Sequence, residues 1–309
     1  MTMNCVTSTL PNLEELYING CWRIKNISME LVFSRLRKLK LIEMNECRIG
    51  NDGLRRLSGL SITGKPLEED AFPELEHVSI RCSPYVNYRG IRLMRERMRY
   101  LGSLDIAACA SVDDRAVSEI AGIATLKHLD LHGCKKLTAR SIACLSTGVL
   151  SLTYLDVSYC LHIGDDAMEK VFDGRGLAAL TTLHMGSTAI TDYGLTLVAL
   201  YLTCLTSLDV SRCEAISKRG IQAVSAHLKD LRCIYLGFCK RLDNDALVYL
   251  SNMENLQVVS LKGCPLIGSC GMEIFASGVA IRNFLELDVA FTSVDDIALK
   301  YIAKVIASS

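Results

Sequence analysis

The 309-residue chain has no excess of charge of either sign, because 34 Lys and Arg balance 34 Asp and Glu. That balance argues against a protein that coats nucleic acid or an anionic membrane through its overall field, although local patches remain open. There is no uncharged apolar run long enough to cross a bilayer, and Met1 to Leu10 show no basic stretch followed by an apolar one. Neither a transmembrane helix nor a signal peptide is therefore expected. The expectation is an intracellular, cytoplasmic protein, with cytoskeletal, ciliary or nuclear settings left open. No two cysteines make Cys-x-x-Cys, and no Gly-x-Ser-x-Gly elbow, phosphate-binding glycine loop or kinase signature occurs. Of the six histidines, five fall in or just after strand-like phrases, so no helical His-x-x-x-His pair is expected. What the chain does have is apolar side chains, 50% of the total, which excludes a disordered chain. At this length folding buries about 75% of the unfolded surface, so neither disulfides nor metal are needed for stability.

Cysteine is plentiful, at fourteen residues, and its spacing organises the sequence. Cys21, Cys47, Cys109, Cys134, Cys160, Cys213, Cys239 and Cys264 each end the phrase apolar-x-x-apolar-x-apolar-x-x-Cys, as in Leu126-Lys-His-Leu-Asp-Leu-His-Gly-Cys134. Ser83, Thr188 and Thr292 take the cysteine position in three further copies. Successive positions are 26, 36, 26, 25, 26, 28, 25, 26, 25 and 28 residues apart. Eleven copies in phase make one repeat array over residues 1–309 rather than two domains. Each phrase alternates with period two, which predicts a short strand; an aliphatic residue, a polar cap and an apolar helical stretch follow, as in Ile190-Thr-Asp-Tyr-Gly-Leu195. Thr191 or Asp192 would cap that helix. Strands separated by helices must run parallel, stacked about 4.8 Å apart on a concave side with helices outside.

This pattern resembles the leucine-rich repeat, in the cysteine-containing subtype found in F-box proteins of cullin-type ubiquitin ligases. The resemblance runs from about Leu13 to the C-terminus. It implies an α/β solenoid, a horseshoe of about eleven repeats with a parallel concave sheet and convex helices. It also implies that the phased cysteines point inward and stack successive turns, rather than serving redox or metal chemistry. Only twelve residues precede Leu13, too few for an F-box.

Six cysteines lie off the ladder: Cys5, Cys82, Cys144, Cys204, Cys233 and Cys270. Cys144, Cys204 and Cys270 fall in helical segments and are expected in the core, whereas Cys82 and Cys233 fall at concave positions. The long interval before Ser83 contains Gly64-Lys-Pro-Leu-Glu-Glu-Asp70 and reads as a loop insertion at about 61–72. After it, Arg89 to Arg99 holds five arginines, with Ile91, Met94 and Met98 placed to face the core. The last helix, Asp295 to Ser309, and the start of the array show no polar cap, so neighbours are expected at both ends.

On the concave face the middle strand position reads Asp105, Asp130, Asp156, His184, Asp209 in five successive repeats. Such a column admits a metal or acid–base reading, but the resemblance implies aspartate there as a hydrogen-bonding strand residue. No metal, no cofactor and no catalytic residue is assigned. Four outward positions in each of eleven repeats hold nine acids and three bases (Arg81, Arg212, Lys262), a net −6. Aromatics take six of these 44 positions: Tyr17, Tyr154, Tyr159, Tyr235, Phe238 and Phe291. Aromatic enrichment on a polar surface marks protein interfaces. The candidate contact centre is Tyr154, Asp156, Tyr159, His184, Asp209, Arg212, Tyr235 and Phe238. One rim is lined by Arg23, Lys25, Lys135, Lys136, Lys218, Arg219, Lys240 and Arg241, with Trp22 the lone stacking aromatic, so nucleic acid is disfavoured. The functional expectation is a non-enzymatic scaffold within a hetero-complex, binding a protein partner on its concave face and neighbours at its ends. The alternative is the substrate-recognition subunit of a cullin-type ubiquitin ligase.

Overall fold

The computed structural model describes residues 10–67, 74–172 and 177–307. Eleven strands of three residues alternate with helices along the chain. They are β1 Glu15–Tyr17, α1 Ser28–Arg35, β2 Leu41–Glu43, α2 Asn51–Leu57, β3 His77–Ser79, α3 Tyr88–Arg97, β4 Ser103–Asp105, α4 Asp114–Ile120, β5 His128–Asp130, α5 Ala139–Gly148 and β6 Tyr154–Asp156. There follow α6 Asp165–Phe172, β7 Thr182–His184, α7 Asp192–Tyr201, β8 Ser207–Asp209, α8 Lys218–His227, β9 Cys233–Tyr235, α9 Asp245–Leu250, β10 Val258–Ser260, α10 Ser269–Ser277, β11 Glu286–Asp288 and α11 Asp296–Ala307. Contacts group the chain into two compact units, Met1–Leu155 and Asp156–Ser309. In the first, β1 to β5 pair parallel in sequence order; in the second, β7 to β11 do the same. This is the leucine-rich-repeat arrangement, with one strand and one helix per repeat.

The middle residue of each strand is the apolar one, and in β1 to β10 it lies in the core, as with Ile42, Val78, Leu104, Leu208 and Ile234, all fully buried; Leu287 of β11 is half-buried. The aspartate column therefore closes the strands instead of occupying their middles, which corrects the sequence reading by one position. The three-residue strands end because the next residues turn. The residue just before each cysteine-equivalent position has a left-handed backbone: Gly20, Glu46, Cys82, Ala108, Gly133, Tyr159, Ser187, Arg212, Phe238, Gly263 and Phe291, with φ from 55 to 70°. A turn with positive φ at its third residue is closed by the cysteine N–H, as from Cys213 to the Val210 carbonyl at 3.2 Å.

The cysteines supply the contact that the resemblance implied. Cys47, Cys109, Cys239 and Cys264 are buried, and their thiols donate to the carbonyls of Ile18, Ile80, Val210 and Leu236 in the preceding repeat at 3.0 to 3.3 Å. Thr188 and Thr292 fold back instead, onto Met185 and Val289 of their own repeats at 2.7 and 2.6 Å. Cys21 is exposed, having no earlier strand beside it among the described residues.

A second ladder runs along the helix starts. Thr191 caps α7, its hydroxyl accepting from the Tyr193 N–H at 3.2 Å. Asp192 reaches into the next repeat, accepting from the Ser217 N–H at 2.7 Å, the Ser217 hydroxyl at 2.5 Å and the Gly220 N–H at 3.1 Å. Asp165 does the same toward Thr191 and Gly194, and Asn51 toward Asn87 and Gly90. Glycine is needed at the receiving position: a Cβ on Gly220 would sit 2.8 Å from Asp192 Oδ1.

Part of the insertion is described. Ser61 and Lys65 close a tight turn, and the Leu67 N–H returns to the Gly59 carbonyl at 2.8 Å; Glu68, Glu69 and Asp70 lie outside the described residues. Ile91 and Met94 of α3, and Met98 just after it, are buried as expected. Its arginines are partly engaged, Arg92 with Glu96 at 2.9 Å, Arg95 with Glu119 at 3.1 Å and Arg97 with the Ser58 carbonyl at 3.2 Å. No described helix is long and apolar enough to cross a membrane.

Candidate protein-binding face

The strand-end carboxylates are first of all turn caps. Oδ1 of Asp105, Asp130, Asp156, Asp209 and Asp288 each accepts the backbone N–H two residues on, at 2.7 to 3.1 Å. This local bond holds the backbone leading into the left-handed residue. Asp130 and Asp156 are buried rather than displayed.

In the second unit, Asp156 Oδ2 lies 3.7 Å from His184 Nδ1. Burial opposes ionisation of Asp156, but hydrogen bonds from His184 and Ser158 outweigh it and hold the carboxyl below its ordinary range. Asp209 and Tyr235 are half-buried neighbours in register on β8 and β9. Burial, with Cys233, Glu286 and Asp209 adding negative charge nearby, raises the Tyr235 phenol. Beside this row stand the left-handed residues. The Arg212 guanidinium lies over the Phe238 ring, 4.3 Å from its centroid. Tyr159 is 43% and Phe291 78% exposed, and Lys262 sits 5.8 Å from the Phe291 ring. The second unit thus brings together seven of the eight candidate residues' elements on one strand face. Tyr154 belongs to the first unit, where its ring stacks on His128 at 3.9 Å and 9°.

The first unit's face has its own neutralisation. Arg81 lies 3.5 Å from Asp105 and 3.8 Å from Asp130. On β1 the Tyr17 hydroxyl donates to Glu15 at 2.8 Å. Sequence reasoning placed Phe291 and Lys262 on the second unit's strand face but not beside one another. The signal for the left-handed column was present in Gly20, Gly133 and Gly263, which occupy the same register in three repeats.

All thirteen described cysteines are free. Burial pushes the Cys109 thiol up to about 12 and raises Cys239 well above the usual thiol range. Cys82 is exposed and Cys233 half-buried, while Cys5 lies outside the described residues. The three expectations of core burial fail. Cys144 is only half-buried on α5, Cys204 is exposed because α7 ends at Tyr201, three residues earlier, and Cys270 is exposed at the outward start of α10. Among the described residues no group of three or more His, Cys, Asp or Glu is placed to hold a metal ion.

Comparison with known proteins agrees with this architecture. The Leucine Rich repeat family matches residues 150–172 and 201–225. Lysine-specific demethylase 2A of Xenopus tropicalis is 28% identical over 172 residues, 51% of this chain and 15% of that protein. F-box/LRR-repeat protein 4 of Bos taurus is 27% identical over 261 residues, 82% of this chain and 36% of that protein. The chain thus matches well under half the length of either relative. An internalin from Listeria monocytogenes superposes with a TM-score of 0.56 at 20% identity, over 89% of this chain and 68% of that one, a likeness of fold alone. Eleven strand–helix repeats in sequence order, an inward cysteine closing most of them, and the family match within two of them show the leucine-rich-repeat fold.

Proposed function

We propose that this chain is a non-enzymatic protein-interaction scaffold that holds a protein partner against the strand face of its second unit, as one subunit of a larger assembly. The observation that carries the reading is the occupancy of the left-handed positions. A non-glycine residue there costs about 1–2 kcal/mol relative to glycine. Yet the second unit holds Tyr159, Arg212, Phe238 and Phe291 at these positions. Backbone strain kept for the sake of large, displayed side chains is a reason to look for what they touch. Aromatic and arginine side chains are the usual anchors of protein interfaces. The neighbouring His184, Asp209 and Tyr235 would orient polar and basic groups of the partner, with Asp156 buried behind His184.

The test is affinity purification of the native complex with cross-linking mass spectrometry, followed by binding measurements with the partner so identified. Tyr159→Ala, Arg212→Ala and Phe238→Ala together are expected to weaken capture at least about tenfold while leaving the thermal melt close to wild type. Equal capture by this variant would sink the assignment.

The similarity to an F-box/LRR-repeat protein supports a second reading, substrate recognition for a cullin-type ubiquitin ligase. Co-purification of a cullin and its adaptor with the protein would support it. A complex containing neither would leave the scaffold reading alone.

A further inference from the structure

The first unit carries an open cleft far in character from the acidic strand face. It is lined by Trp22, Arg23, Ile24, Lys25 and Ile27 of the first repeat and Arg48 of the second. Trp22 and Ile27 are more than half exposed, so the cleft has an apolar floor, and the three bases surround it. Arg23 already lies over the Trp22 ring, 4.8 Å from its centroid. The second repeat is fixed to the first by the bond from the Gly50 N–H to Asn26 Oδ1 at 3.0 Å, which holds Arg48 at the cleft edge.

None of Arg23, Lys25 and Arg48 has a carboxylate partner among the described residues. In the second unit, by contrast, the rim bases Lys218 and Lys240 are paired with Asp245 and Glu214. Three uncompensated cations around an exposed indole and two isoleucines leave a surface that is both hydrophobic and positive. A chain that covers it must offer apolar side chains for the floor and negative charge for the edge. A single-stranded nucleic acid would ask for successive stacking platforms, and the cleft has one ring, with Arg23 on it.

We propose that this cleft is a docking site for an acidic, amphipathic peptide segment of a protein partner, separate from the partner held on the strand face. Leucine- or phenylalanine-sized side chains would lie on Trp22 and Ile27, and Asp or Glu would pair with Arg23, Lys25 and Arg48. Desolvated Arg–carboxylate pairs are strong and bidentate, so the arginines would fix register while Lys25 adds charge.

Trp22 is the only tryptophan in the chain, so its emission reports on this cleft alone. The full chain would be titrated with a fluorescein-free Glu/Leu peptide, its Lys/Leu counterpart and oligo-dT, following Trp22 emission, with anisotropy of labelled copies as an independent readout. The expected result is a saturable Trp22 shift with the Glu/Leu peptide alone, weakened at least about tenfold by Arg23→Glu, Lys25→Glu and Arg48→Glu together and by raised salt. These three side chains are solvent-facing, and an unchanged melt would show that the variant folds. Three outcomes would overturn the proposal: no shift with the Glu/Leu peptide, equal binding of the Lys/Leu peptide, or tighter binding of oligo-dT, which would assign the cleft to nucleic acid. Loss of partner capture at Tyr159, Arg212 and Phe238 bears on neither result, so the two sites fail independently.

Discussion

The Phe238 ring lies where a side chain on Gly263 would begin: a Cβ built on Gly263 would be 2.5 Å from Phe238 Cδ1. Both residues occupy the left-handed position of their repeats, with φ of 61 and 70°. Phe238 therefore depends on glycine in the next repeat, and with Arg212 over the same ring it is held from two sides. Gly263→Ala should cost about 2–3 kcal/mol, from the left-handed backbone and the displaced ring together. In a double-mutant cycle, Phe238→Ala should recover the packing part of that cost and leave the backbone part. Additive melting shifts for the two changes would refute the coupling.

Ala108 isolates the backbone cost, because its side chain is exposed and small and its φ is 56°. Ala108→Gly removes a strain of about 1–2 kcal/mol and adds about 0.5–1 kcal/mol of unfolded-chain entropy, so a net gain of roughly 0.5 kcal/mol is expected. Gly133→Ala, at the same register of the next repeat, should move stability the other way. Urea unfolding of the two variants checks both signs.

Asp114 and Asp156 make stability depend on acid. Burial by itself raises both carboxyls, but hydrogen bonds win: from Ser141 and Thr138 to Asp114, and from His184 and Ser158 to Asp156. A carboxyl held lower in the folded state than in the unfolded chain stabilises the fold above the unfolded pKa. That contribution is lost as pH falls through the folded one. Melting temperatures measured between about pH 7 and pH 2 should show Asp114→Asn below wild type at neutrality, with the gap closing on acidification, mostly below about pH 4. A gap that stays constant with pH would refute the role of ionisation.

The thiols should divide sharply by reactivity. Cys21, Cys82, Cys204 and Cys270 are exposed, whereas Cys47, Cys109, Cys134, Cys160, Cys213, Cys239 and Cys264 are buried. Thiol labelling read by mass spectrometry should mark the first group in native protein and the second only in denaturant. Rapid native labelling of Cys109 or Cys239 would contradict the inward ladder, since burial disfavours their thiolates and blocks the reagent.

The strand–turn–helix period was legible because every repeat must bury the same three apolar positions, and the cysteine at a fixed offset reported the register. What spacing could not supply was the division of labour among polar residues. Thr191 and Asp192 are equally good caps in a sequence, and only the approach of the next repeat sends Asp192 away to Ser217 and Gly220. The aspartate column likewise looked like a displayed surface, whereas each carboxylate spends one oxygen on its own turn. Cys204 and Cys270 were misplaced because a short apolar stretch does not say where a helix ends or which side its first turn presents. The candidate face was visible as composition, but its order, Arg212 on Phe238 and Phe238 on Gly263, arises from contacts between residues about one repeat apart.

The ladder from Asp165, Asp192 and their equivalents also sets where this chain tolerates a change of length. Between a strand and the following helix, as from Asp209 to Lys218 or from Asp130 to Ala139, each added residue would pull a cap away from the carboxylate of the previous repeat and the thiol away from its carbonyl. Between a helix and the next strand, by contrast, bonds to the preceding repeat come from varied side chains, such as Thr125 to Leu101 and Asn255 to Lys229, and the one long interval places its extra residues there, after α2 ends at Leu57 and before β3 begins at His77. Growth of the sequence, whether by inherited insertion or by a grafted loop, is thereby channelled to the edge on which helices hand back to strands.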